Sequence, residues 1–198
     1  MSMDRIRTRE LSSLAYGDPT GFLRELRNVE KNLGTVVDSL PDKARRLRTN
    51  TLKPSREMRD AALFCQGMSE RLGHKVFFAP TEREDYDFVA MWCAEDEQRF
   101  CPVQLKELVP ADCNPLGSLD SILSGLSRYG DARGLTVALR LNRTGRFDPA
   151  ALKLPSGLRL GGLWTFGCVS ADQSKWAIWG DFASRSVEPI GTEFEYPV

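Results

Sequence analysis

The sequence predicts an α/β fold with a mixed sheet, α+β in character, and three observations carry that prediction. The stretch DYDFVAMWCAEDEQRFCPVQLK holds two strand-like runs, residues 88–93 and 100–105, on either side of a polar AEDEQR turn, the pattern of a β-hairpin. Ahead of it, Met58, Ala61, Cys65, Met68 and Leu72 recur at helical spacing. Behind it, the interval from Lys106 to Leu135 has the length of a helical crossover. That sets the strand expected over 135–141 parallel to the one carrying Lys106.

Taken in order, Asp18 and Pro19 cap a first helix on which Phe22, Leu23, Leu26, Val29 and Leu33 make one apolar stripe, ending at Gly34. A shorter helical piece is expected over 35–47, broken near Pro41. A basic run overlaps it, with Lys43, Arg45, Arg46, Arg48, Lys53, Arg56 and Arg59 close together. It reads either as a phosphate-contacting patch or, more simply, as a solvated helix face with a linker. Pro54 and Ser55 start the next helix and Gly73 stops it. KVFFAP, residues 75–80, is a short strand before the hairpin. Asn114 and Pro115 open the crossover helix, in which Leu119, Ile122, Leu123, Leu126 and Tyr129 face inward until Gly130.

The tail carries two further strand-like runs, 163–169 and 176–182, flanking an ADQS turn and paired as a hairpin. Trp164, Phe166, Trp176 and Trp179 make it aromatic. These rings either stack on bases or, as strand and core formers usually do, pack on the sheet. The expected divisions are a helical extension over 1–54, a core over 55–145, and the aromatic hairpin packed on that core over 146–198.

Composition bounds the function. The chain's 198 residues suffice for one domain with a real core. Its 27 basic residues balance 27 acidic ones, so no global field draws it to nucleic acid or membrane and any anion-binding surface is local. Apolar runs are short and the N-terminus MSMDRIRTRE is charged, which argues against a signal peptide or a membrane span. Cys65, Cys93, Cys101, Cys113 and Cys168 form no C-x-x-C pair and read as reduced, mostly buried thiols of a cytoplasmic protein. Cys93 and Cys101 are expected to face each other across the hairpin.

Asp87 opens the first hairpin strand, and Gln104 and Lys106, two apart on the second, share one face of a sheet. A carboxylate, an amide oxygen and an ammonium can then converge on a volume that holds a hard divalent cation beside a phosphate. An acidic residue leading a hydrophobic strand, Asp87-Phe88-Val89-Ala90, followed by a strand carrying Gln104-Leu105-Lys106, resembles the PD-(D/E)XK superfamily of restriction-endonuclease-like nucleases in a Q-x-K form. The resemblance covers about residues 55–142. It implies an αβββαβ core and hydrolysis of DNA phosphodiester bonds by metal-activated water, with Mg²⁺ or Mn²⁺ as cofactor. It implies Asp87, the side-chain oxygen of Gln104 and the backbone carbonyl of Leu105 as metal ligands. Lys106 would orient or deprotonate the water and offset developing charge. A helix carboxylate is implied as well, Glu57 or Asp60, with Glu57 preferred. DNA is the expected partner, a homodimer is compatible with cutting both strands, and no membrane is involved.

The sequence also departs from the family pattern. Glutamine in place of the commoner acid removes one negative charge and should weaken metal binding. Tyr86 stands where the family often has proline, Asp85 could substitute for Asp87, and Glu107 should point away from Lys106. A second reading keeps the fold without cleavage: a module binding nucleic acid or a protein partner through the aromatic hairpin. Taken singly, Asp87 could merely start a strand and Lys106 could snorkel at a strand end. Other chemistries have no support. His74 is the single histidine, which rules out H-E-x-x-H zinc sites, and G-x-S-x-G, P-loop and G-x-G-x-x-G patterns do not occur.

Overall fold

The computed structural model describes residues 3–42, 48–81, 85–184 and 190–198. Its strands are β1 (Val76–Pro80), β2 (Phe88–Ala94), β3 (Glu97–Leu108), β4 (Asp131–Leu141), β5 (Arg159–Cys168), β6 (Lys175–Gly180) and β7 (Ile190–Glu195). All seven join one mixed sheet, in chain order. β1, β2 and β3 are antiparallel, β3, β4 and β5 are parallel, and β5, β6 and β7 return to antiparallel. The helices are α1 (Met3–Ser12), α2 (Pro19–Asn32), α3 (Gly34–Ser39), α4 (Lys53–Leu72) and α5 (Leu119–Gly125), the last running into a 3₁₀ turn over Leu126–Tyr129. The crossover through α5 makes β4 parallel to β3, as the interval length predicts.

The molecule is organised around α4. Ala61, Ala62, Leu63, Phe64, Cys65 and Gly67 are all buried, so the middle of this helix is enclosed on every side rather than along one stripe. α2 covers its outer side, where Leu23 is fully buried and Thr20 Oγ1 donates to Gln66 Oε1 at 2.8 Å. The sheet covers the rest. α4 packs against β1 and also against β6 and β7, so it touches both edge strands, β1 and β7. Seven strands spaced about 4.8 Å apart would span roughly 29 Å if flat, while a helix is about 10–12 Å across, so the sheet has to curl around α4. Gly67 permits the closest approach: a Cβ there would lie 2.7 Å from the Phe194 ring of β7. Phe64 sits edge-on to both Phe88 and Phe166, and burying each such ring contributes about 1.5–3 kcal/mol. The opposite face carries two smaller apolar clusters, one around Leu123, Leu126 and Leu163 and one around Leu11, Tyr86, Val89 and Leu135.

Several expectations are corrected. α2 begins at Pro19 with Asp18 capping Thr20 N–H at 3.2 Å, but Val29 and Leu33 at the far end of its stripe are exposed because nothing described packs there. α3 ends at Ser39, and residues 43–47 of the expected helical piece lie outside the described residues. The hairpin turn is Glu95 and Asp96 alone, both at positive φ, so Glu97 to Arg99 belong to β3. The crossover helix starts at Leu119, not at Asn114, because Ser118 and Ser121 form a capping box. α1, β7 and the early part of β4 add to the expected elements. The tail strands extend the sheet edge to edge through β5 rather than lying on top of it. Among the cysteines only Cys65 is buried; Cys93, Cys113 and Cys168 are exposed. Cys101 stands opposite Ala90 and Cys93 opposite Gln98, so the two thiols do not meet.

Candidate active site

Asp87 lies where β2 begins and β3 runs on beyond it. Its backbone is held on both sides: its N–H donates to Val103 O at 2.9 Å, and its carbonyl accepts from Thr81 N–H at 3.1 Å. The last ladder pair is Phe88 with Val103, which puts Gln104 beside Asp87 on the neighbouring strand. The Asp87 carboxylate then does what a ladder partner would have done, with Oδ2 accepting the Leu105 backbone N–H at 2.6 Å. The same oxygen accepts from the Gln104 amide Nε2, which also lies 3.4 Å from the Leu105 carbonyl. Oδ1 accepts no hydrogen bond among the described residues. Asp87, Gln104 and Leu105 therefore meet around one point.

Lys106 projects from the same side of β3 as Gln104 and lies elsewhere in the neighbourhood. Its ammonium sits 5.8 Å from the centre of the Tyr129 ring and forms no ion pair with a carboxylate of the described residues. Gln104 and Tyr129 line a cleft of about 460 Å³, with Asp85, Tyr86 and Arg128 on its wall. Asp85 is exposed, and it is Asp87 rather than Asp85 that contacts Gln104. Tyr86, at the place where the family pattern has proline, is buried among Leu11, Val89 and Leu135 as a core residue.

The two candidate helix carboxylates separate clearly. Glu57 lines a second cleft, of about 490 Å³, together with Asp87, Thr81 and Lys53, and pairs with Lys53 at 3.3 Å. Asp60 is turned the other way. It is 5% exposed and bonded to Arg140 of β4 at 2.5 Å, with Arg59 at 3.8 Å. Burial pushes its carboxyl up against the pull of the two guanidinium groups. Asp60 is thus part of the core's charge balance and is absent from the cleft that Asp87 lines.

A second ion cluster, which no motif in the sequence announces, lies close to Asp60. Glu107 points away from Lys106, as its alternate position requires, and is clasped by Arg48 through Nη1 at 2.8 Å and Nη2 at 2.5 Å. Asn142 Nδ2 donates to it at 2.7 Å, and Arg56 Nε lies 3.9 Å away. Burial works to raise the Glu107 carboxyl, but the donors and positive charges of Arg48, Asn142 and Arg140 outweigh it and hold it below the usual range. Arg48, Arg56 and Arg59 from the basic run are therefore turned inward onto acids, neither a phosphate patch nor a solvated face. Lys43, Arg45 and Arg46 lie outside the described residues. The signal that could have located this cluster is Arg140, a charge inside the apolar run LTVALRL.

The tail rings follow the packing alternative: Phe166 is fully buried, Trp176 is 3% exposed, and Trp164 and Trp179 pack partly against the two larger clusters. Among the described residues no three His, Cys, Asp or Glu side chains gather as a metal site. What is gathered is one carboxylate, one amide and one backbone carbonyl, all oxygen-bearing groups. Their type fits a hard cation that draws its remaining ligands from water and phosphate. Comparison of the chain with protein-family models, with curated proteins and with solved structures finds no match. No helix among the described residues is long and apolar enough to cross a membrane.

Proposed function

We propose that this chain is a Mg²⁺- or Mn²⁺-dependent nuclease of restriction-endonuclease-like architecture that hydrolyses DNA phosphodiester bonds. The observation that carries the reading is the meeting of Asp87 with Gln104 and Leu105 across adjacent antiparallel strands, with Lys106 on the same side of β3. The order of helix, three antiparallel strands, crossover helix and parallel strand supports it. Asp87, Gln104 and the Leu105 carbonyl would hold the cation, which when bound supplies positive charge to the phosphate and acidifies water.

The chain's own groups do the remainder. Asp87 provides the fixed negative charge, and the Leu105 N–H keeps that carboxylate oriented. The Gln104 amide now presents nitrogen to Asp87; turned over about its last bond it presents oxygen to the same point. That arrangement repels the carboxylate unless a cation lies between them. Lys106, close to the Tyr129 ring and not neutralised by a carboxylate, is placed to donate to a phosphate oxygen and to meet the charge that develops in the transition state. Glu57, in the cleft that Asp87 also lines, is the proton acceptor or water-orienting carboxylate.

Plasmid nicking with and without Mg²⁺ tests this. Asp87→Asn removes the charge while leaving an oxygen for the Leu105 N–H, and Lys106→Ala removes the ammonium. Each is expected to lower cutting by at least about 10²-fold. Intact plasmid with retained DNA retardation would instead identify a binding module. Intact plasmid with no retardation would direct attention to a protein partner.

A further inference from the structure

We propose that Arg128 and Tyr129 form a second phosphate subsite beside Lys106, which holds the nucleotide adjoining the bond to be cut. The inference takes its substrate class from the nuclease reading, but its geometry stands apart from the metal ligands. The Tyr129 ring collects two cations: Lys106 Nζ lies 5.8 Å from its centre and the Arg128 guanidinium carbon 5.0 Å. Arg128 Nη2 also donates to the Tyr129 hydroxyl oxygen at 3.1 Å, which fixes the guanidinium's position. The ring face attracts each cation weakly at a partly exposed site, and mutual repulsion of the cations works against it. Neither cation pairs with a carboxylate among the described residues. An anion that meets either cation lowers the repulsion, and the guanidinium fork matches two phosphate oxygens at once.

The setting fits a nucleotide unit rather than an isolated ion. The adjoining cleft, about 460 Å³, falls within the range that encloses small organic ligands. Tyr86, Pro102 and Leu135 give it apolar walls for a sugar or base, while Gln104 opens it toward Asp87. Among the described residues Asp85 is the acidic group on its lining and Arg128 the basic one, while Lys106 adds a second cation near Tyr129. A polynucleotide would lie with one phosphate at Gln104 and Lys106 and the next at Arg128. Arg128 is a positioning residue, separate from the bond-breaking groups.

The test uses the full chain and a short fluorescent single-stranded oligodeoxynucleotide. In EDTA, anisotropy gives Kd and its dependence on salt; with Mg²⁺, cleavage gives kcat and KM. Arg128→Ala is expected to raise Kd and KM about 10-fold, to lower the salt slope by about one, and to leave kcat unchanged. Tyr129→Leu should reproduce that shift, whereas Tyr129→Phe should keep most of the affinity. Thermal melts of Arg128→Ala and Tyr129→Phe should coincide with the parent, because Arg128 is exposed and the phenylalanine ring keeps the packing of Tyr129. Unchanged Kd and salt slope in Arg128→Ala would overturn the subsite. So would displacement of the oligonucleotide by inorganic phosphate at the oligonucleotide's own concentration, since that would mean a site for free phosphate. A parent protein that binds in an Arg128-dependent way yet never cuts would refute the nuclease and keep the subsite. Cutting that ignores Arg128 would do the reverse.

Discussion

Asp87 carries two loads that substitution can separate. As an acceptor it ends the β2–β3 ladder through the Leu105 N–H, and as a carboxylate it supplies charge to the candidate site. Asp87→Ala leaves that N–H without its partner and should destabilise the fold by about 1–3 kcal/mol in urea melts, whereas Asp87→Asn should leave stability within about 1 kcal/mol. Asp60 offers the contrasting case. Asp60→Asn strips the counter-charge from buried Arg140 and should cost about 3–5 kcal/mol, with little effect on any cleavage that the folded protein retains. Asp87 and Gln104 were readable as neighbours because the two strands pair, and Gln104 and Lys106 as sharing a face because strand alternation is strict. The choice between Glu57 and Asp60 was not readable, because residues three apart on a helix point only about 60° apart and the sequence does not say where the line between cleft and core falls between them.

The hairpin shows why element boundaries resist the same treatment. Its turn places Glu95 at φ 52° and Asp96 at φ 64°, a conformation that asparagine and glycine adopt readily and glutamate does not. Without an Asn-Gly signal, the six letters AEDEQR read as one loop, although four of them are strand. Relieving that backbone conformation gives a direct measurement: the double substitution Glu95→Asn with Asp96→Gly should raise stability in urea melts by about 1 kcal/mol without touching the site. α4 likewise showed its stripe but not its full enclosure, since Ala62, Leu63 and Phe64 are all buried and Phe64 meets Phe88 of β2 and Phe166 of β5, strands far apart in the sheet. Gly67→Ala should destabilise by about 1–3 kcal/mol, because its methyl would meet the Phe194 ring.

At the scale of the molecule, the ion clusters set the response to acid. Glu107 is held below 4.5, its ordinary value, so its contribution to stability is complete above that pH and is lost as pH falls through the lowered folded value. Asp60 has the opposite sign: its raised carboxyl binds a proton more readily folded than unfolded, so acid does not remove stability through it. The melting temperature of the parent should therefore fall below about pH 4 more steeply than that of Glu107→Gln, as calorimetry across that range would record. The general class of fold was legible because its helix, hairpin and crossover are local patterns. The curl was not, because it depends on contacts between residues far apart in the chain.

Curling a sheet so that both of its rims touch α4 has a kinetic consequence. Tyr196 reaches Leu23 across 173 positions, its hydroxyl donating to the Leu23 carbonyl at 3.3 Å. Such closure gains nothing until nearly the whole chain has collapsed, which predicts slow refolding, on the order of milliseconds to seconds, with the two rims locking in a single late event.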